Sequence, residues 1–440
     1  MSEQPLQAFG IRSQPVNFRA LPPLSLYIHI PWCVRKCPYC DFNSHEAKPV
    51  LSLSKDGGLP EREYVAALVR DLEMALPLIW GRKVYTVFFG GGTPSLLSGE
   101  SVTEILRQVR MLLPLDINAE ITLEANPGTV EADKFAAFRE AGVNRLSLGI
   151  QSFNDTHLQA LGRIHSAADA RRAIRIAQQH FDNINLDLMY ALPNQAQEQA
   201  LQDVQAALQF RPQHLSCYHL TLEPNTLFAH QPPPLPDEDV SSDMQQSIEA
   251  LLAAHGYEHY ETSAFAQPGR RSRHNLNYWQ FGDYLGIGAG AHSKLSFHDK
   301  ILRQARYKQP QAYMEAVAHG QPVRARHGEA EPSGAGVPAL HPLPQSAGCA
   351  SNVSGVQEEH EVSHDDIAFE FMMNALRLNG GFDSPLFTER TSLPLLSIRR
   401  ELAEAEERGL LFQDHKKIAP TESGRRFLND LLQIFLREGS

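Results

Sequence analysis

Three cysteines fall within eight residues, Cys33-Val-Arg-Lys-Cys37-Pro-Tyr-Cys40. Thiolate is the usual protein ligand of iron–sulfur clusters, and three thiolates can hold three irons of a [4Fe-4S] cube. The fourth iron then lacks a protein ligand, and an open position is what lets a metal site bind a reactant. Two plainer readings compete. The spacing i, i+4, i+7 is also one face of a helix, with cysteine as a small core residue, although Pro38 disfavours helical geometry at Cys37. Alternatively, Cys33, Cys37, Cys40 and His45 form a structural zinc site, and the chain is an interaction protein with no redox role.

Other chemistry-bearing residues follow apolar runs. Gly90-Gly91-Gly92-Thr93-Pro94 follows one of them, and glycines let backbone approach a ligand closely. Glu124 and Asn126 follow the next, Gln151 the one after, with Arg163 a little later, and Asp187 lies near the end of a fifth. Each alone reads as a solvated or capping group. On parallel strands, however, they share the carboxyl-end rim where α/β barrels bind ligands. There Glu124 suits an amine or ribose hydroxyl, Arg163 a carboxylate, and Asp187 a ribose or amine.

The elements that must position them alternate. Apolar, β-rich runs at 25–30, 84–89, 120–123, 145–149, 184–188 and 214–220 are separated by helical spacing at 61–76, 99–112, 132–140, 166–180, 198–210 and 238–255. Six strand–helix repeats imply a parallel sheet flanked by helices. That is too few for an eight-fold barrel, and from pattern alone a doubly wound sheet stays open. The expected organisation is a flexible tail over 1–23, a barrel over 24–256, a C-terminal domain over 257–326 and 365–440, and a disordered insertion over 327–364, which is rich in Gly, Pro, Ala and Ser. Helical patterns at 366–377, 395–408 and 422–436, with a short hairpin over 410–419, resemble a winged-helix end.

The chain has 440 residues, enough for two domains, and a net charge of −11, which argues against nucleic-acid or anionic-membrane binding. No apolar run approaches the roughly 20 residues that span a bilayer, and no secretory signal opens the chain. Clustering of three of the five cysteines favours metal chemistry over disulfides and a cytoplasmic setting. Cys217 reads as a buried thiol and Cys349 as incidental. His274, in Arg273-His274-Asn-Leu-Asn-Tyr-Trp279, is an imidazole able to ligate heme iron. A hydrogen-bonded histidine under aromatic neighbours explains it at least as well. The following Gly286-Ile-Gly288-Ala-Gly290 lacks the strand–helix context of a dinucleotide fingerprint.

Six stretches carry a family resemblance: Tyr27-Ile-His-Ile-Pro-Trp-Cys33 through Phe42; 90–95; Glu124-Ala-Asn-Pro127; Leu148-Gly-Ile-Gln151-Ser-Phe153; Leu161-Gly-Arg163; and Asn185-Leu-Asp-Leu-Met-Tyr190. They resemble the radical S-adenosylmethionine (SAM) proteins of the oxygen-independent coproporphyrinogen III oxidase-like family, over most of 24–325 and again over about 366–430. The resemblance implies an α/β fold, a partial (β/α)6 radical SAM barrel followed by a smaller α+β C-terminal domain. It also implies SAM contacts from Tyr27, Gly91, Gly92, Thr93, Glu124, Gln151, Arg163 and Asp187, beside a cluster on Cys33, Cys37 and Cys40. Within the family the oxidase pattern has a further cysteine where this chain has Phe42, and the motif at 274–279 is similar to one associated with heme binding. The expectation is therefore a heme chaperone that binds heme, with His274 as the candidate ligand, and delivers it to heme-accepting respiratory enzymes. It would be cytoplasmic, with transient visits to the inner membrane surface, with an electron donor such as flavodoxin and with homodimers admitted. The rival within the family is the coproporphyrinogen III oxidase (dehydrogenase) of heme biosynthesis.

Overall fold

A computed structural model describes residues 16–47, 59–129, 132–319 and 355–436. Six parallel strands succeed one another: β1 (Leu24–Ile30), β2 (Val84–Gly91), β3 (Leu115–Ala125), β4 (Arg145–Gln151), β5 (Ile184–Tyr190) and β6 (His214–His219). Helices α1 (Glu61–Ala75), α2 (Gly99–Leu112), α3 (Ala132–Ala141), α4 (Ala167–His180), α5 (Gln197–Leu208) and α6 (Glu238–Ala254) alternate with them. Period-2 alternation sorts the strand side chains. Leu24, Leu26, Ile28 and Ile30 of β1 are buried in the main hydrophobic core, as are Val87 and Phe89 of β2 and Leu146, Leu148 and Ile150 of β4. The opposite set is polar: Ser25 and His29, Glu120, Thr122 and Glu124, Arg145 and Ser147, Asn185 and Asp187, His214 and Ser216. Helix starts are fixed locally. Ser98 caps α2 by accepting from the Ser101 N–H, and Ser166 and Asp169 form a reciprocal capping box on α4.

The sheet does not break at residue 257. β7 (Glu258–Glu261) and β8 (Ala264–Ala266) add antiparallel strands beyond β6, while β9 (Asp283–Ile287) lies parallel to β1 on the other side. β10 (His292–Ser296), β11 (Ile301–Arg306) and β12 (Val356–Glu361) extend that side antiparallel, giving twelve strands in the order β12-β11-β10-β9-β1-β2-β3-β4-β5-β6-β8-β7. A fully buried pair ties this extension to α1: Asp71 accepts from Arg306 Nε at 3.0 Å and from the Tyr313 hydroxyl at 2.9 Å. A smaller unit follows, with short helices at Ile367–Ala375, Ser384–Thr391 and Arg399–Glu407 around a three-stranded sheet of Phe382–Asp383, Leu411–Gln413 and Lys417–Pro420.

Several expectations need correcting. Residues 16–23 are not a loose tail, because Val16 and Phe18 are buried in the core of the C-terminal unit. Part of the expected insertion is ordered: 356–361 pairs with β11 as an edge strand. Strand β9 was not anticipated, and β3 runs well ahead of the expected 120–123. The expected helix over 422–436 is two short helices broken at Phe427. Residues 1–15 and 327–354, Cys349 among them, lie outside the described residues.

Candidate functional site

The cysteine segment leaves β1 through Pro31 and doubles back. Trp32–Cys33 pairs with His45–Glu46, and the Ala47 N–H donates to the Cys33 carbonyl at 2.8 Å, so the loop bearing Cys37 and Cys40 is closed at its base. Cys33, Cys37 and Cys40 are free and half-buried; Cys33 ends the short strand, and Cys37 and Cys40 lie in irregular backbone on either side of the turn at Pro38–Tyr39. That removes the reading of one helix face. Pro38 anchors the loop: its carbonyl accepts from the Phe228 N–H, and a side chain at Gly162, where φ is +69°, would meet its ring at 2.8 Å. His45, the fourth ligand of the zinc reading, places Nε2 3.2 Å from the Lys308 carbonyl. Among the described residues no three His, Cys, Asp or Glu side chains converge closely enough for a single metal ion. A cube several ångströms wide does not ask them to.

Strand ends reach toward the thiols. Thr93 donates to Cys33 Sγ at 3.4 Å, and Asn126 Nδ2 donates to Thr93 Oγ1 at 2.8 Å. Arg163 donates to Asn126 Oδ1 at 2.5 Å, to the Gly149 carbonyl at 2.8 Å and to Cys37 Sγ at 3.7 Å. Its Nε is buried without a partner among the described residues, a donor aimed for an acceptor that the protein does not supply. Gly149 must stay bare, since a Cβ there would lie 2.8 Å from Asn126 Oδ1. A register shift then turns Gln151, at φ 65°, into the same space. Gly92 passes so near the β1 exit that a Cβ would lie 2.6 Å from the Trp32 carbonyl oxygen.

Two carboxyls complete the wall. Burial, with the Asp187 carboxylate beside it, pushes the Glu124 carboxyl up to about 8. Burial also raises Asp187, against hydrogen bonds from Ser147 at 2.8 Å and Asn185 at 2.8 Å. Asn185 is itself oriented by His214 Nδ1 at 2.6 Å, and His214 Nε2 by the Tyr260 hydroxyl at 2.8 Å. A positively charged amine entering here would meet its counter-charge and draw both carboxyls back down.

All three cysteines and Gly91, Gly92, Thr93, Glu124, Gln151, Arg163 and Asp187 line one cavity of about 440 Å³. Tyr27 stands behind it, its hydroxyl 3.1 Å from His29 Nδ1 and its phenol raised by burial and then by Glu124. The residues present fit a cluster with a chelating cofactor: three thiols and no fourth, an unpaired guanidinium nitrogen, and two enclosed carboxyls. His274 is elsewhere. It sits on α7 (Arg273–Trp279), near the amino ends of the strands, stacked on Phe88 with ring centroids 4.8 Å apart and Nδ1 2.9 Å from Thr86 Oγ1. Burial and then Arg145 hold its imidazole down to about 3. Sequence reading missed Met189 near the end of β5, Tyr218 and His219 at the end of β6, and Thr221 and Glu223 beyond it, which also line the cavity. Their only signal is position at the carboxyl end of a strand.

Residues 27–207 match the Radical SAM superfamily, and 362–427 match the HemN C-terminal domain. With the thiol loop and the rim geometry, these define the class: a radical SAM protein. The chain is 45% identical to Heme chaperone HemW of Escherichia coli and 43% identical to that of Haemophilus influenzae, in both cases over 95% of this chain and 99% of the relative. It is 34% identical to the mitochondrial radical S-adenosyl methionine domain-containing protein 1 of Bos taurus, over 94% and 87% of the two chains. The chain belongs to the HemW family. The structure of coproporphyrinogen III oxidase (HemN) from E. coli shares the fold, with a TM-score of 0.72 at 23% identity over 94% of this chain and 90% of that one.

Proposed function

We propose that the protein is a radical SAM-type heme chaperone: it holds a [4Fe-4S] cluster on Cys33, Cys37 and Cys40, binds SAM beside it, and carries heme to respiratory enzymes. The observation that carries the cofactor part is the single cavity in which three half-buried thiols meet Arg163, Glu124 and Asp187. When bound, the cluster would supply a one-electron donor with an open iron for the amino-acid end of SAM. Arg163, held by Asn126 and Gly149, would take the carboxylate, with Thr93 fixing the neighbouring backbone. Gly91 and Gly92 would leave room for the methionine amino end. Glu124, Gln151 and Asp187 would take the remaining amine and ribose groups, and Tyr27 would back the site.

Family membership supports heme as the cargo, because the relatives at 45% and 43% identity carry the name heme chaperone. A role for His274 in holding heme would need α7 to swing off Phe88 and Thr86. Respiratory acceptors, a flavodoxin-type donor, homodimers and visits to a membrane surface belong to the same proposal. No helix among the described residues is long and apolar enough to cross a membrane.

Anaerobic reconstitution followed by titration with heme, and a separate assay with coproporphyrinogen III, tests this. The expected result is a brown protein that binds heme and leaves coproporphyrinogen III unchanged. Cys37→Ala should lose most of its iron and sulfide, because two thiolates hold the cube poorly. Decarboxylation of coproporphyrinogen III, or full cluster content in Cys37→Ala, overturns the proposal.

A further inference from the structure

A second cavity, of about 590 Å³, shares a wall with the thiol cavity: Gly91, Glu124, Asp41, Phe42 and Ser44 line both. Its chemistry differs. Lys36, Lys308, His45 and His292 line it, with His29 deeper in. Two of these imidazoles are disfavoured as cations: His292 is lowered by burial and then by Lys308, and His29 is held down to about 4 by burial, with His45 and His292 adding to the effect. Among the described residues the lysine ion pairs are Lys83 with Asp116 and Lys294 with Asp283, so Lys36 and Lys308 have no carboxylate partner. Among the described residues Lys36 Nζ donates to the Phe42 carbonyl, at 3.3 Å. Two ammonium groups without an ion pair at one cavity are what an incoming carboxylate could meet there. The carboxyls around them are Asp41 and Glu124 in the shared wall, Glu358 near His292, and Glu46, which accepts from the Lys36 N–H at 3.2 Å; among the described residues none forms an ion pair with Lys308 or Lys36.

The shared wall also presents an apolar face. Phe42 is 63% exposed, at the seam between the two cavities. An exposed aromatic ring beside unpaired ammonium groups suits a flat apolar body that carries carboxylates. A volume of about 590 Å³ lies within the range of pockets for ligands of that size. Tyr27 forms the floor and separates this cavity from His274, with ring centroids 6.5 Å apart.

We infer that the second cavity seats the ring carboxylates of a tetrapyrrole, with Lys308 and Lys36 as counter-ions and Phe42 against the macrocycle. This rests on the heme-chaperone reading and adds where the cargo lies: next to the cluster, in a cavity that shares lining residues with the thiol cavity.

The test compares heme with heme dimethyl ester, whose carboxylates are blocked, in spectroscopic titrations of the reconstituted full chain. Wild type should bind heme about tenfold more tightly than the ester, the change that one charge-assisted hydrogen bond carries. Lys308→Glu should abolish that preference while keeping its affinity for the ester, and Phe42→Ala should weaken both ligands. Equal binding of heme and ester by wild type overturns the inference alone, and so does a preference unchanged in Lys308→Glu. Absence of heme binding in wild type overturns the chaperone reading and this inference with it. Should Lys308→Glu fail to fold, the ester comparison in wild type still decides.

Discussion

Glu124 is where residue chemistry and folding stability meet. Its carboxyl is pushed up to about 8 from an ordinary 4.5, by burial first and Asp187 second. Below about pH 4.5 the folded and unfolded chains both carry this proton. Between pH 4.5 and 8 the unfolded chain has released it while the folded chain keeps it, so rising pH favours unfolding. Each unit of that difference is worth about 1.4 kcal/mol. Glu124→Gln, an isostere that never ionises, should therefore gain thermal stability over the metal-free wild type as pH rises from 5 to 8, and match it near pH 4. Parallel melting curves for the two proteins across that range would show that the carboxyl is not enclosed as described. Asp187, also raised, gives both proteins a common fall with pH. The residue types at this site were legible from the chain because they follow strand ends. Their pairing was not: nothing in the spacing of Glu124 and Asp187 says that β3 and β5 bring them within electrostatic reach across β4.

At the scale of elements, the thiol loop depends on how closely β2 passes the exit of β1. The Gly92 N–H donates to the Ile30 carbonyl at 2.8 Å and the Thr93 N–H to the Trp32 carbonyl at 2.7 Å, so the end of β2 is laced to the segment that ends in Cys33. A Cβ on Gly92 would lie 2.6 Å from the Trp32 oxygen and 3.0 Å from that of Ile30, both backbone atoms that cannot rotate away. Gly92→Ala should push the two segments apart, cost roughly 1 to 3 kcal/mol by overpacking, and lower iron and sulfide content after reconstitution. Cluster content equal to wild type would mean that the loop tolerates the separation. The alternation of strands and helices made this geometry expectable up to β6. Strand β9 escaped because Asp-Tyr-Leu-Gly-Ile runs straight into a glycine-rich turn, and its partner β1 lies some 250 residues earlier in the chain. Long-range pairing of that kind leaves no local period to read.

At the scale of the whole molecule, the C-terminal unit is held to the sheet from several sides. Arg303 of β11 pairs with Glu370 at 2.6 Å, and the Asn379 N–H donates to the Tyr260 carbonyl at 3.1 Å. The segment at 16–18 adds a strap. Phe18 is 2% exposed in the cluster that contains Phe371, Phe382 and Phe387, and its N–H donates to the His298 carbonyl at 2.9 Å. Two apolar residues in a Pro- and Gln-rich stretch carry no periodicity, which is why the sequence read as a loose tail there. Their burial has a separable consequence, because the strap joins the second core and not the one beneath the thiol loop. Phe18→Ala should cost about 3 to 5 kcal/mol in the unit it enters and should expose the region after residue 362 to protease at lower temperature. Cluster content, which depends on the barrel end of the chain, should stay at the wild-type level. Loss of cluster and C-terminal unit together, in one cooperative transition, would instead mean that the two cores fold as a single body and that the strap bears on both.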